Sequence, residues 1–120
     1  MNLKECYDKM GADYDDVLSR LRSEVLVRKF ALKFLDDDSY ANLKDALAAG
    51  NAQDAFRGAH TLKGVAQNLG FGPLYKAAAE VTEVLRPTES GAGDMEKAAK
   101  MMPAVDEEYA RTIAAIKGLS

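Results

Sequence analysis

One histidine stands among the 120 residues of this chain. It lies in the run Ala59-His60-Thr61-Leu62-Lys63-Gly64, followed by Val65-Ala66-Gln67-Asn68-Leu69-Gly70. At about 100° per residue, a helix through this stretch gathers Ala55, Ala59, Leu62, Ala66 and Leu69 into one apolar stripe. His60 then falls roughly 140° from the centre of that stripe and faces water, flanked by Gln53, Lys63, Gly64 and Gln67. A neutral imidazole nitrogen so placed is a nucleophile: it can take a phosphoryl group as a phosphoramidate and give it up to another acceptor. Lys63, one turn on, supplies positive charge for the phosphoryl oxygens. Gly64, at i+4, removes a side chain where a partner's backbone would approach, although glycine in a helix interior costs about 1 kcal/mol relative to alanine. Gln67, two turns on, can donate a hydrogen bond.

Other chemistries find less support. A metal site needs companion ligands, and there is no second histidine, a single distant cysteine and no Glu-x-x-His pair. No metal and no cofactor are expected. No nucleophile elbow accompanies a Ser-His-Asp set, and no Walker or Rossmann glycine loop is present, so the chain is not expected to phosphorylate itself from ATP. A net charge of -3, with lysines and arginines scattered, argues against nucleic acid and anionic membrane as partners. No apolar run approaches the roughly 20 residues that span a bilayer, and the start Met1-Asn2-Leu3-Lys4-Glu5-Cys6 lacks a signal peptide's apolar core. The sole cysteine, Cys6, cannot form an internal disulfide and reads as a passive residue. Residues 1–120, with 48% hydrophobic residues, fit one soluble cytoplasmic domain with one core, expected to be a monomer.

The elements that must position these residues all carry a helical period. A short helix is predicted from Leu3 to Met10 and a second from Asp13 to Leu21, with Tyr14, Val17, Leu18 and Leu21 on one side. Ser23 and Glu24 open a third, with Val27, Phe30, Ala31, Phe34 and Leu35 inward, which Asp36-Asp37-Asp38 ends. Ser39 reads as the N-cap of a fourth, burying Tyr40, Leu43, Ala46 and Leu47, although Ser23 to Ala49 could also form one interrupted helix. Gly50 stops it, Asn51 caps the helix that carries His60, and Gly70 stops that one in turn. Gly72-Pro73 opens the next, with Leu74, Ala77, Ala78, Val81, Val84 and Leu85 inward. A loop over Pro87–Gly93 precedes a last segment capped by Asp94, which Pro103 should kink or split near Met102. Its core side includes Met95, Ala98, Met102, Val105, Tyr109, Ile113 and Ile116. Short links between amphipathic helices favour antiparallel neighbours, hence an all-α, up-down antiparallel four-helix bundle with an additional short N-terminal helix.

The run His60-Thr61-Leu62-Lys63-Gly64 with Leu69-Gly70 fits H-x-L-K-G-x-x-x-x-L-G and resembles the histidine-containing phosphotransfer (HPt) domains of two-component phosphorelays. The turn Leu47-Ala48-Ala49-Gly50-Asn51 resembles the family's helix end before its active-site helix. The resemblance covers Tyr14 to Arg86 and is strongest from Ala46 to Gly70. It implies a four-helix bundle in which His60 accepts a phosphoryl group from a receiver-domain aspartate and passes it to another receiver, that of a hybrid histidine kinase among them. It also implies that Lys63 is the charge partner, Gly64 the clearance residue and Gln67 a polar neighbour of less uniform role. Two alternatives share the fold: a receiver-binding module that carries no phosphate, and a substrate domain phosphorylated in trans by a histidine kinase. The sequence departs from the family where an acidic residue often follows the apolar position matching Val81; Thr82 stands there, with Glu83 next. Beyond Pro87 nothing resembles the family.

Overall fold

The structure is a computed structural model that describes residues 1–120. It contains seven α-helices and no β-strand: α1 (Leu3–Lys9), α2 (Tyr14–Leu21), α3 (Glu24–Lys33), a 3-10 turn (Phe34–Asp36), α4 (Ser39–Ala49), α5 (Ala52–Leu69), α6 (Gly72–Leu85) and α7 (Met95–Lys117). The helical bundle expected from the sequence is present. Two-residue links, Gly50-Asn51 and Gly70-Phe71, fold α5 back on α4 and α6 back on α5. Helix α7 packs on α6 and also meets α4, α3 and α1. Three short helices, rather than one, precede this set.

The helix that carries His60 is defined at both ends by local chemistry. Asn51 Oδ1 accepts the Asp54 N–H at 3.0 Å, and the Asp54 charge sits in the positive first turn. At the other end Gly70, at φ 74, reverses the chain. The Gly70 and Phe71 N–H groups then close on the carbonyls of Gln67 and Ala66 at 3.2 and 2.9 Å. A helix leaves its last four carbonyls without an internal partner. Here the remaining two are also bonded: buried Tyr7 Oη donates to the Leu69 carbonyl at 2.6 Å, and Arg20 Nη1 to that of Asn68 at 3.2 Å. Arg20 Nη2 adds a second donor to Gln67 at 3.4 Å.

Packing holds α5 on its inner face. Ala55, Gly58, Ala59, Leu62, Ala66 and Leu69 are buried there, between α4 and α6. A Cβ on Gly58 would lie 3.0 Å from the Leu43 backbone, so glycine is what lets α4 and α5 approach this closely. Twenty-seven buried apolar residues form one cluster. Within it the rings of Tyr14, Tyr7, Phe71 and Phe34 follow one another, and half-buried Tyr109 continues the run against it, at centroid distances of 5.2–5.9 Å; Tyr109 in turn stacks on Tyr40 at 3.8 Å. That run of aromatic rings ties α1 and α2 to α4 and α7. Cys6 is fully buried, and burial pushes its thiol up to about 11, outside the range of a reactive thiolate.

Three local expectations need correction. Ser39 is the first residue of α4 rather than its cap, because the Asp37 carboxylate accepts both the Ser39 N–H and its hydroxyl. The segment Ser23 to Ala49 is not one helix, since Asp37 is extended at ψ 131 after the 3-10 turn. Nor does Pro103 split α7, which runs unbroken from Met95 to Lys117. Pro103 and Ala99, whose carbonyl loses its donor, both face solvent, while Ala98, Met102 and Val105 are buried. No helix is long and apolar enough to cross a membrane.

Tyr7→Phe leaves the buried Leu69 carbonyl without a donor and should lower stability by about 1–3 kcal/mol in urea denaturation. Arg20→Ala, which removes exposed bonds to the same helix end, should lower it by less. Equal losses would show that the tyrosine hydroxyl does not secure α5.

Candidate functional site

His60 projects from the middle of α5 into solvent, and Lys63, Gly64 and Gln67 share its face. Gln67 is exposed, while Lys63 and Gly64 are half-buried on either side of His60. Lys63 takes part in none of the chain's six salt bridges, so its charge is uncommitted.

The two glycines inside α5 differ in kind. Gly58 is required by the backbone of α4, whereas a Cβ on Gly64 would meet nothing within 4 Å. Nothing in the fold asks for the missing side chain at Gly64. The benefit that offsets its helix-interior cost must come from outside the chain.

Three further side chains border His60 that the sequence reading did not single out. Phe56 lies one turn before it, with ring centroids 5.8 Å apart at 53°. The Arg86 guanidinium lies over the Phe56 ring, Cζ 5.3 Å from its centre. Arg86 also donates in a fork to Glu83, Nε to Oε2 at 3.2 Å and Nη2 to Oε1 at 2.9 Å. The Glu83 carboxyl is held below the usual carboxylate range, chiefly by this hydrogen bond and the Arg86 charge; Lys63 and His60 add smaller contributions. Phe56 could have been found from its i−4 spacing to His60. Glu83 and Arg86 could not, because they depend on how α6 registers against α5. Thr82 is buried, its hydroxyl donating to the Ala78 carbonyl at 2.7 Å, and takes no part in the site. Phe71, beyond Gly70, is core.

The site has no walls of its own. Two grooves, of about 510 and 650 Å³, run along α4–α5 and between α2, α3 and α5, and neither takes in His60. An exposed imidazole, an ammonium in no salt bridge and a glycine with open space above it share one face of α5.

The family model of the Hpt domain matches residues 36–115. The match takes in the 3-10 turn's last residue and α4 to α7 up to Ala115. It therefore extends past Pro87, where the sequence reading found no resemblance, and omits 14–35, where that reading had placed one. No curated protein and no solved structure matches the chain significantly.

Gly64→Ala should raise stability by about 0.5–1 kcal/mol in urea denaturation, since the site has room and the helix gains propensity. Gly58→Ala should lower it, because the added Cβ meets the Leu43 backbone. A destabilised Gly64→Ala would mean that the fold itself needs this glycine.

Proposed function

The chain belongs to the Hpt domain family, and from that premise we propose that it is a phosphorelay intermediate whose phosphoacceptor is His60. A receiver domain bearing an aspartyl phosphate docks on the exposed face of α5. The lone pair of a neutral His60 ring nitrogen attacks phosphorus, the phosphorus–aspartate oxygen bond breaks, and its electron pair returns to the aspartate as carboxylate. The ring's other nitrogen keeps its proton, so the phosphorylated ring is cationic until that proton leaves to solvent. Transfer onward is the reverse: a second receiver's aspartate oxygen attacks phosphorus, and the nitrogen–phosphorus bond breaks with its pair returning to the ring. No ATP and no metal held by this chain enters either step, and the chain has no kinase activity of its own.

Each neighbour has a part. Lys63 places an uncommitted ammonium where phosphoryl charge arrives. Gly64 lets the receiver's backbone approach α5, and Gln67 offers a hydrogen bond to the docked partner or the phosphoryl oxygens. The observation that carries this reading is the contrast of Gly64 with Gly58: one glycine serves the fold and the other serves nothing within it. A module that only bound receivers would have no use for a nucleophile and a free cation beside that clearance.

Incubation with a panel of phosphorylated receiver domains should give acid-labile, alkali-stable label on the wild type and none on His60→Gln. Equal labelling of His60→Gln, or labelling by no receiver, would refute the relay reading. Lys63→Ala should slow transfer roughly 5- to 30-fold, the worth of a solvent-facing charged contact of about 1–2 kcal/mol, with the helical signal unchanged. Gly64→Gln should block transfer from the receivers although the fold tolerates it; unimpaired transfer would remove the clearance argument.

A further inference from the structure

The Glu83–Arg86 pair contributes little to the bundle. Both side chains are largely in solvent, at 62% and 46% exposure, and such pairs add little to stability. Yet Arg86 is doubly held, by its fork on Glu83 and by the face of Phe56. Phe56 is the shared neighbour: the imidazole of His60 lies 5.8 Å from its ring centre and the guanidinium of Arg86 5.3 Å. The reacting group and a parked cation thus adjoin the same ring. The acid that parks it also feels the charges of Lys63 and His60, so it lies within electrostatic reach of the site.

Resting on the reading that His60 carries the phosphoryl group, we propose that Glu83 and Arg86 form a latch that responds to its arrival. In the unloaded chain Glu83 holds Arg86 over Phe56. A phosphoryl group on His60 brings about two negative charges to this face. It repels the Glu83 carboxylate and competes with it for the guanidinium, whose planar donors match phosphoryl oxygens as well as they match a carboxylate. Arg86 then pivots across the Phe56 ring, keeping its contact with the aromatic face, and binds the phosphoryl oxygens opposite Lys63. Arg86 is the phosphoryl-binding residue of this exchange and Glu83 the positioning residue. No bond to phosphorus forms or breaks in it. What changes is how strongly the loaded state is favoured over the empty one, so the latch sets how much phosphoryl group the chain retains against its receivers.

Two measurements test the latch. The protein is first loaded with phosphoramidate, which needs no receiver, and the Arg86 Nε–H is followed by NMR. Its resonance should move on loading of the wild type and should not move in His60→Gln. The second measurement is the share of phosphoryl group on His60 at equilibrium with a phosphorylated receiver. Arg86→Ala should lower this share roughly tenfold, the worth of one charge-assisted hydrogen bond, and Arg86→Lys should recover part of the loss. Glu83→Gln should shift it the opposite way, which loss of a merely structural ion pair would not do. An unmoved Arg86 resonance, or shifts of the same sign in Arg86→Ala and Glu83→Gln, would overturn the latch. If phosphoramidate loads His60 but no receiver does, the relay reading fails and the Arg86 resonance alone decides the latch. If phosphoramidate does not load His60 but a receiver does, the receiver loads the NMR sample and the Arg86 resonance decides the latch; if neither loads it, both readings fail.

Discussion

The C-terminal end of α5 is bonded at every carbonyl that the helix itself leaves open, by the turn that follows it and by side chains from distant parts of the chain. Gly70 and Phe71 serve Gln67 and Ala66, Arg20 serves Asn68 and Gln67, and Tyr7 reaches Leu69 across 62 residues of sequence. An isolated helix frays at such an end. Here fraying would have to break a buried hydroxyl–carbonyl bond and a two-bond turn together. The consequence is felt one to three turns upstream, where His60, Lys63 and Gly64 keep fixed spacing although none of them is anchored by the core. Helices α1, α2 and α3 lie wholly outside the stretch 36–115 that matches the family, and their clearest contribution to the site is this support.

Support on the inner face is of a different kind. The residues that α5 turns toward α4 and α6 are mostly small, with two alanines and Gly58 within five positions, Ala55 to Ala59. Small residues bring helix axes close, and close axes bring side chains of the neighbouring helix round to the outer face. That is how Arg86, at the end of α6, lies over Phe56 on α5. The helix carries two interior glycines and keeps its regular run through both. Their combined propensity penalty of about 2 kcal/mol is offset by the caps and by burial of the apolar stripe.

What the sequence made legible is what short-range geometry decides. Asn51 and Gly70 bound α5 because capping needs only a side chain or a positive φ within one turn. The exposure of His60 follows from its angle to the stripe alone. The same local reading erred where two nearby groups competed: Asp37 rather than Ser39 organises the start of α4, since the carboxylate is the stronger acceptor and reaches both Ser39 donors. A split at Pro103, one of the two outcomes expected there, is absent because Ala99 faces water, a fact of tertiary placement. Tyr7 on Leu69 and Arg86 on Phe56 were out of reach altogether, because each depends on the register between helices. The roles of His60, Lys63, Gly64 and Gln67 come from chemistry and family resemblance; the fold contributes their common face.

The departure at Thr82 shows how the fold constrains charge beside the site. On α6 the buried stripe runs through Leu74, Ala77, Ala78, Val81, Thr82 and Leu85, so the position after Val81 lies inside it. A carboxylate there would have to be desolvated, with no cation on the inner face to meet it. Threonine fits because its hydroxyl can satisfy itself on the carbonyl four residues back, as it does on Ala78. One step further, a helical turn of about 100° carries Glu83 out of the stripe and onto the rim that faces Lys63 and His60. From there the residue three positions on, Arg86, shares its side of the helix and can be gripped by it. Acidic character beside the histidine is thus kept but moved to solvent, where its charge can respond to what happens at His60 without opening the core.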